Sequence, residues 1–348
     1  MSNVSRDELP ADPRYSATPS TPDPSTVAGP KPAEQFPTSA APPAAGLLID
    51  SEATTRPVPA RLGPRGLVDQ VWLDATASRS RLLAVSAADG GVGRSTLVTA
   101  LGGLLALASP APVVAIDAVG RSWNGLADRM PSADSGSVAD AVHALDLHPT
   151  GPVDIDGWAR TGPTGLRALV AEPSTTGDRQ PPALGQTLTV ARALFPAHAT
   201  VLLDLPIADT RRIWLALTQA SVPVLVARAT TDSLRHTMHL LTAMRRADLD
   251  TSRVVVVVTA LNRSTPRAVR AVTRQLAGQV AALVTVPYDP ALAAPEPVDV
   301  RRLRRPTRRA LLHASAAVLK SSQDASPPAA TSTLTPAAAG HHLEEVLP

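Results

Sequence analysis

The sequence predicts an α/β domain in which a doubly wound, mostly parallel sheet is covered by helices on both faces. Short apolar runs of strand length, among them residues 113–117, 200–204 and 222–228, alternate with stretches of helical spacing. This alternation is typical of parallel strands joined by crossover helices. Another apolar run, residues 82–85, leads into a glycine-rich turn, and residues 97–107 leave that turn with helical spacing.

The glycine-rich turn is the most informative part of the chain. Residues 89–96 read Asp-Gly-Gly-Val-Gly-Arg-Ser-Thr. A strand, a glycine-rich turn and a helix N-terminus together present backbone N–H groups that bind phosphate oxygens. The turn approximates the pattern G-x-x-x-x-G-K-[ST], with Ala88 at the first glycine and Arg94 at the lysine. We therefore predict a phosphate-binding loop; the alternative is a tight strand-to-helix connection that binds nothing.

The loop resembles the deviant Walker A motif of the ParA/MinD family of P-loop ATPases, K-G-G-x-G-K-[ST]-[ST]. In this resemblance Ser95 stands at the Mg²⁺ ligand and Arg94 replaces the phosphate-binding lysine. Asp89 replaces the family's signature lysine, which reaches across a nucleotide-sandwich dimer. The positions that the resemblance assigns to nucleotide contact are Gly90, Gly91, Val92, Gly93, Arg94, Ser95, Thr96 and Asn262.

Two strand-end aspartates continue the resemblance. Residues 113–117 resemble the second strand of the family, which ends in the Walker A′ aspartate, here Asp117. Residues 200–204 resemble the Walker B strand, which ends in Asp204 and is followed by the family's D-x-P pattern. With Ser95, these two carboxylates are the Mg²⁺ site that the resemblance implies.

The rest of the domain follows the same family order. Residues 222–228 resemble the next buried strand, and residues 254–258 the strand after which Asn262 would contact adenine. Residues 286–292 and the arginine-rich segment behind them resemble the ending of actinobacterial MinD-like proteins, some of which are linked to type VII secretion. The resemblance covers about residues 78–320.

Three departures from the family pattern affect one reaction. The second aspartate of the family's Asp-x-Asp motif, which positions the attacking water, is Val119 here. A valine can neither accept a proton nor orient a water, so hydrolysis loses its positioning group. Arg94 is a broader planar fork than lysine, and Asp89 places negative charge near a triphosphate unless it turns into solvent. We therefore assign no catalytic residue and expect at most a slow ATPase, with weak binding of ATP and Mg²⁺.

Composition limits the remaining classes of function. The 348 residues include no cysteine, which excludes disulfides, thiolate catalysis and cysteine-bound metal. We find neither an apolar run of the roughly 18 residues that a membrane span needs nor an apolar signal segment. We expect a cytoplasmic protein, with peripheral association to membrane or nucleoid as an alternative. His236 and His239 have no matching carboxylate motif, and we expect both to be surface residues.

The 35 prolines indicate how the chain is divided. Residues 1–62 are rich in Pro, Ser and Ala, with almost no apolar periodicity, so we predict disorder there and in the tail, residues 321–348. The P-loop domain is predicted over residues 63–320. Within it, residues 66–73 could form a short element that packs on the rest of the domain.

An arginine-rich segment, residues 301–309, precedes the last predicted helix. Its six arginines could form a patch for DNA or an anionic membrane. Alternatively, Leu311, Leu312 and Val318 pack that helix on the sheet while the arginines are solvated, and we favour this interpretation because no aromatic residue is interleaved. The arginines are Arg301, Arg302, Arg304, Arg305, Arg308 and Arg309.

Three functions are compatible with these observations. The first is a ParA/MinD-like nucleotide-binding regulator of positioning, partitioning or secretion, with weak or lost hydrolysis. The second is a non-catalytic scaffold, a pseudo-ATPase that forms a homodimer or pairs with an intact homologue, with the N-terminal segment recruiting a protein partner. The third is a non-specific DNA binder that uses Arg301 to Arg309.

Overall fold

The structure is a computed structural model. It describes residues 65–76, 80–120, 125–131, 136–148, 154–171, 180–260, 262 and 266–323. The predicted disorder of residues 1–62 and of the C-terminal tail therefore lies outside the described residues, except that the last helix continues to Gln323. Among the described residues, no helix combines the length and the apolar character needed to cross a membrane.

Eight strands form one sheet in the order β3-β4-β2-β5-β1-β6-β7-β8. Every neighbouring pair is parallel except β3 and β4 at one edge. The strands are β1 (Arg81–Ala87), β2 (Val113–Asp117), β3 (Arg160–Thr161), β4 (Arg167–Leu169), β5 (Thr200–Asp204), β6 (Val222–Arg228), β7 (Val255–Thr259) and β8 (Ala282–Val286). The predicted doubly wound, mostly parallel sheet is confirmed.

Helices cover both faces of the sheet. They are α1 (Arg65–Thr76), α2 (Arg94–Ala108), α3 (Gly125–Asp128), α4 (Val138–Leu147), α5 (Leu184–Ala193), α6 (Arg211–Gln219), α7 (Thr231–Arg246), α8 (Arg267–Ala277), α9 (Pro290–Ala293) and α10 (Arg305–Gln323). Residues of α1, α2 and α10 belong to the apolar core on one face, and residues of α4 to α8 belong to the core on the other.

The central strands are apolar along their whole length because each contributes to both cores. In β1, Leu83 and Val85 belong to one core, while Leu82 and Ala84 belong to the other. Successive side chains of a strand point to opposite faces, so burial of both faces requires an uninterrupted apolar run. This is why β2 and β6 begin and end at the residues that the sequence predicts.

The predicted packed element near the start of the domain is confirmed as α1. Its buried residues, Val68, Val71 and Ala75, belong to the same core as α10, on which α1 packs. Leu311 and Val318 of α10 are also fully buried. The last helix is thus held by its apolar face, as the packing interpretation expects.

Candidate functional site

The glycine-rich loop lies at the carboxyl edge of the sheet, between β1 near the sheet centre and the start of α2. Gly91 and Gly93 have φ angles of +66° and +85°, in the left-handed region that favours glycine. Gly93 is the N-cap of α2, and Arg94 is the first helical residue. The loop therefore ends at a helix N-terminus, where unpaired backbone N–H groups and the helix dipole attract anions.

Two neighbouring strands hold the loop by its carbonyl groups. Arg228, the last residue of β6, donates a hydrogen bond of 2.7 Å from Nη2 to the carbonyl of Gly91. Thr259, the last residue of β7, donates one of 2.7 Å from Oγ1 to the carbonyl of Val92. Sequence reasoning missed both contacts. The available signal was a polar residue that ends an otherwise apolar strand at the carboxyl edge.

The two strand-end aspartates lie side by side. Asp117 of β2 and Asp204 of β5 are in register on neighbouring parallel strands and are 2% and 0% exposed. The hydroxyl of Ser95 donates a hydrogen bond of 2.5 Å to Oδ2 of Asp204. Asp117 accepts hydrogen bonds from the backbone N–H groups of Val119 (2.8 Å) and Ala171 (3.3 Å). Ser95 and Asp204, predicted from the resemblance as Mg²⁺ ligands, are thus in contact.

Arg94 changes what this oxygen cluster can bind. Its Nε lies 2.5 Å from Oδ1 of Asp204, and its side chain is only 14% exposed. Both carboxylate oxygens of Asp204 therefore accept protein hydrogen bonds, one from a cation. Among the described residues, no group of three or more His, Asp or Glu side chains is arranged to hold a metal. The residues do not fit the Mg²⁺ site that the resemblance implies, because a guanidinium binds the carboxylate that would face the metal.

Asp89 faces helix α7. Its Oδ1 lies 2.7 Å from Nδ1 of His236, with side-chain exposures of 27% for Asp89 and 57% for His236. The sequence did not indicate this contact, because the fold brings together residues 147 positions apart. His236 is nevertheless a surface residue, as predicted.

Val119 lies just beyond β2, and its backbone N–H is bonded to the carboxylate of Asp117. Its side chain is half-buried and carries no group able to orient a water. That the missing carboxylate slows ATP hydrolysis remains a prediction.

An apolar cavity of about 190 Å³ adjoins the loop. It lies between the start of α2, the ends of β7 and β8, and helices α9 and α10. Asn262, predicted to contact adenine, is exposed and does not line this cavity. The lining residues are Val92, Gly93, Thr96, Leu97, Ala100, Thr259, Ala260, Val286, Pro287, Tyr288, Asp289, Leu292, Ala293 and Leu311.

The arginine-rich segment contains two structural arginines. Arg301 donates two hydrogen bonds of 2.9 Å to Asp299 and one of 3.0 Å to the carbonyl of Pro163. These bonds from Arg301 hold the pKa of the Asp299 carboxyl below its usual range. Arg308 donates to the carbonyl of Leu303 at 2.7 Å. Arg301 is itself 50% exposed, and the other exposed arginines of the segment are Arg302, Arg304, Arg305 and Arg309.

A mostly parallel sheet with a phosphate-binding type of loop after a central strand defines a P-loop NTPase fold. The sequence matches no protein-family model and no curated protein. The structure is similar to that of a ParA family ATPase from Chlorobium tepidum, with a TM-score of 0.50 and 16% identity over 71% of this chain and 94% of that chain. This likeness shows the fold, and the predicted ParA/MinD type of P-loop fold is confirmed.

Two further solved structures share lower similarity. The MinD cell division protein of Aquifex aeolicus has a TM-score of 0.46 and 17% identity, covering 72% of this chain and 99% of that chain. A putative plasmid partition protein from Borrelia burgdorferi, bound to AMPPNP, has a TM-score of 0.48 and 14% identity, covering 70% and 99%.

Proposed function

We propose that this protein is a nucleotide-binding regulator of the ParA/MinD type that acts in positioning, partitioning or secretion and hydrolyses ATP slowly or not at all. The observation that carries the proposal is the loop itself. Two of its glycines have left-handed backbone angles, two of its carbonyls accept hydrogen bonds from neighbouring strands, and α2 begins directly after it at the carboxyl edge of the sheet. Ligands of open α/β sheets bind at this edge.

The cavity beside the loop supports a nucleotide as the ligand. At about 190 Å³ it is smaller than the roughly 300–1,000 Å³ of pockets that enclose a whole ligand. It therefore suits one part of a nucleotide, such as the base, while the phosphates lie over the loop. Gly93 and Thr96 belong to the loop motif and also line the cavity, so a single ligand can contact the loop and the cavity.

The proposed role is regulation because the chain keeps the binding features and lacks the hydrolytic one. Val119 offers no water-positioning group, and Arg94 is engaged with Asp204. A nucleotide-bound form that persists would be recognised and bound by a second subunit, an intact homologue or another protein partner. We propose a cytoplasmic protein, with attachment to membrane or nucleoid through such partners.

Titration of the full chain with a fluorescent ATP analogue tests nucleotide binding. We expect saturable binding that Gly91→Ala weakens by about 5- to 30-fold, because a side chain in the left-handed region costs roughly 1–2 kcal/mol. The new Cβ would also lie 3.1 Å from Nη2 of Arg228 and disturb its bond to the loop.

The matched control is Gly185→Ala, since an added Cβ there meets nothing within 4 Å. We expect this variant to bind like the unmodified chain. Absence of saturable binding by the unmodified chain, together with a stable complex with a partner protein, would favour the non-catalytic scaffold instead.

Exposed arginines favour DNA binding as a second candidate function. The side chains of Arg304, Arg305 and Arg309 are exposed in the arginine-rich segment and form no ion pair with the described residues. If they contact phosphates, replacing all three with Ala should flatten the salt dependence of duplex binding by about three units of log–log slope. Arg308 is left intact because it bonds to the carbonyl of Leu303.

A second triple variant serves as the control, because it also removes three positive charges. Arg267, Arg270 and Arg274 are exposed on α8 and border a different groove. Their replacement with Ala should leave the slope unchanged if the arginine-rich segment is the interface. A flattened slope in this variant alone would place the interface on α8, and no salt-dependent binding by the unmodified chain would remove the DNA candidate.

A further inference from the structure

A protein cation binds the carboxylate at which the P-loop fold would place a metal. Asp204 is fully buried at the carboxyl end of β5 and accepts hydrogen bonds from Arg94 at Oδ1 and from Ser95 at Oδ2, each of 2.5 Å. Two different parts of the α2 N-terminus thus bond to the two oxygens of one side chain. A divalent cation at this carboxylate would have to displace the guanidinium.

The charge balance of the site also involves Arg94. Asp117 lies in register with Asp204, so two buried carboxylates are neighbours. Buried charges persist only when they are paired and hydrogen-bonded. Backbone N–H groups bond to Asp117, and the guanidinium of Arg94 bonds to Asp204. Arg94 therefore supplies the compensating charge that a metal would otherwise bring.

The guanidinium still has donors to offer a ligand. Its contact with Asp204 is made through Nε. A guanidinium has five N–H donors in a planar fork, and four of them are on Nη1 and Nη2. Within the described part of the chain, no acceptor bonds to these two nitrogens. A phosphate above the N-terminus of α2 would therefore meet a paired set of donors, an arrangement that suits phosphate oxygens.

Resting on the nucleotide-binding function proposed above, we propose that Arg94 takes the place of the divalent cation, so that this protein binds nucleotide phosphates without Mg²⁺. The Nε side of the fork neutralises Asp204, while its amino groups neutralise the phosphates. A Mg²⁺ ion added to this arrangement would compete for Asp204 and lie close to a fixed positive charge, which disfavours it.

Nucleotide affinity with and without metal tests this directly. The full chain is titrated with a fluorescent ADP or ATP analogue in buffer with excess Mg²⁺ and in buffer with EDTA. We expect the two dissociation constants to agree within about threefold, a difference of about 0.65 kcal/mol. Binding that weakens tenfold or more in EDTA would overturn this inference and leave the proposed function standing. No binding in either buffer would overturn both.

The variant Asp204→Asn distinguishes an Asp204 that binds Arg94 from an Asp204 that orients Mg²⁺, because the two roles predict opposite changes in nucleotide affinity. If Asp204 restrains Arg94, the neutral amide releases the guanidinium toward the phosphates, and affinity should be at least as high as that of the unmodified chain in both buffers. If Asp204 instead orients Mg²⁺, affinity should fall in Mg²⁺ and stay unchanged in EDTA, which would overturn the inference. Circular dichroism melting confirms that the variant is folded.

The variant Arg94→Lys should create the metal requirement that the unmodified chain lacks. Lysine is a compact point charge and cannot bridge carboxylate and phosphate with a planar fork. We expect its affinity in EDTA to be at least about tenfold lower than in Mg²⁺, a difference of 1.4 kcal/mol or more. Equal affinities in both buffers would show that the fork is not what replaces the metal. Asp232→Asn, on the exposed start of α7, is the matched control and should change neither value.

Discussion

Replacing Arg94 with Met should lower the free energy of unfolding by about 3–5 kcal/mol, because it leaves the buried carboxylate of Asp204 without its positive partner. The methionine keeps most of the volume of the arginine stem, so the loss reports on charge more than on packing. Urea denaturation followed by circular dichroism measures the change.

Two further variants isolate the ion pair. The double variant Arg94→Met, Asp204→Asn should recover most of the lost stability, since the amide carries no charge that needs a partner. Arg235→Met is the matched control: Arg235 pairs with Asp232 at 4.0 Å on the surface of α7, and both side chains are more than half exposed. We expect this control to stay within about 0.5 kcal/mol of the unmodified chain. An Arg94→Met variant no less stable than this control would contradict the prediction.

ATP turnover by the isolated protein should lie far below the roughly 1–10³ per second of ordinary enzymes. The expectation follows from Val119, because a positioned general acid–base group contributes about 10²–10⁴-fold and a valine cannot supply one. Steady-state phosphate release measures the rate. A turnover number on the order of 1 per second or more would contradict the prediction.

The combined substitution Asp89→Lys, Arg94→Lys and Val119→Asp should raise turnover by at least about 100-fold, and each single substitution should do little, because groups that act as a unit are not additive. Arg94→Lys frees Asp204, Val119→Asp supplies the water-positioning carboxylate, and Asp89→Lys removes the contact with His236. Full recovery by Val119→Asp alone would show that Arg94 and Asp89 do not limit hydrolysis.

The sequence was sufficient for features that depend on local pattern. Strands buried on both faces must be apolar throughout, so their bounds could be predicted from the chain, as for β2 and β6. The loop could be predicted because several glycines between a strand and a helix are typical of a phosphate-binding turn. The short strands β3 and β4, of two and three residues, were missed because runs that short have no periodicity to detect.

The resemblance indicated that Ser95 and Asp204 lie together, but three other contacts of the site were not predicted, because they join residues that are distant in the chain. Arg94 and Asp204 are 110 positions apart, Gly91 and Arg228 are 137, and Asp89 and His236 are 147. Residue types at family positions indicate which groups are present. They do not indicate that Arg94 would bind the aspartate in place of an ion, which depends on side-chain geometry in three dimensions.

The hydrogen bonds from Arg228 and Thr259 to the loop have a consequence for the entropy of ligand binding. Each fixes a loop carbonyl from the end of a sheet strand, at Gly91 and at Val92. A phosphate that arrives at the loop therefore meets backbone N–H groups that are already ordered, and less conformational freedom is lost on association than with an untethered glycine-rich loop. β6 leads directly into α7, so Arg228 connects the loop to the strand from which that helix begins.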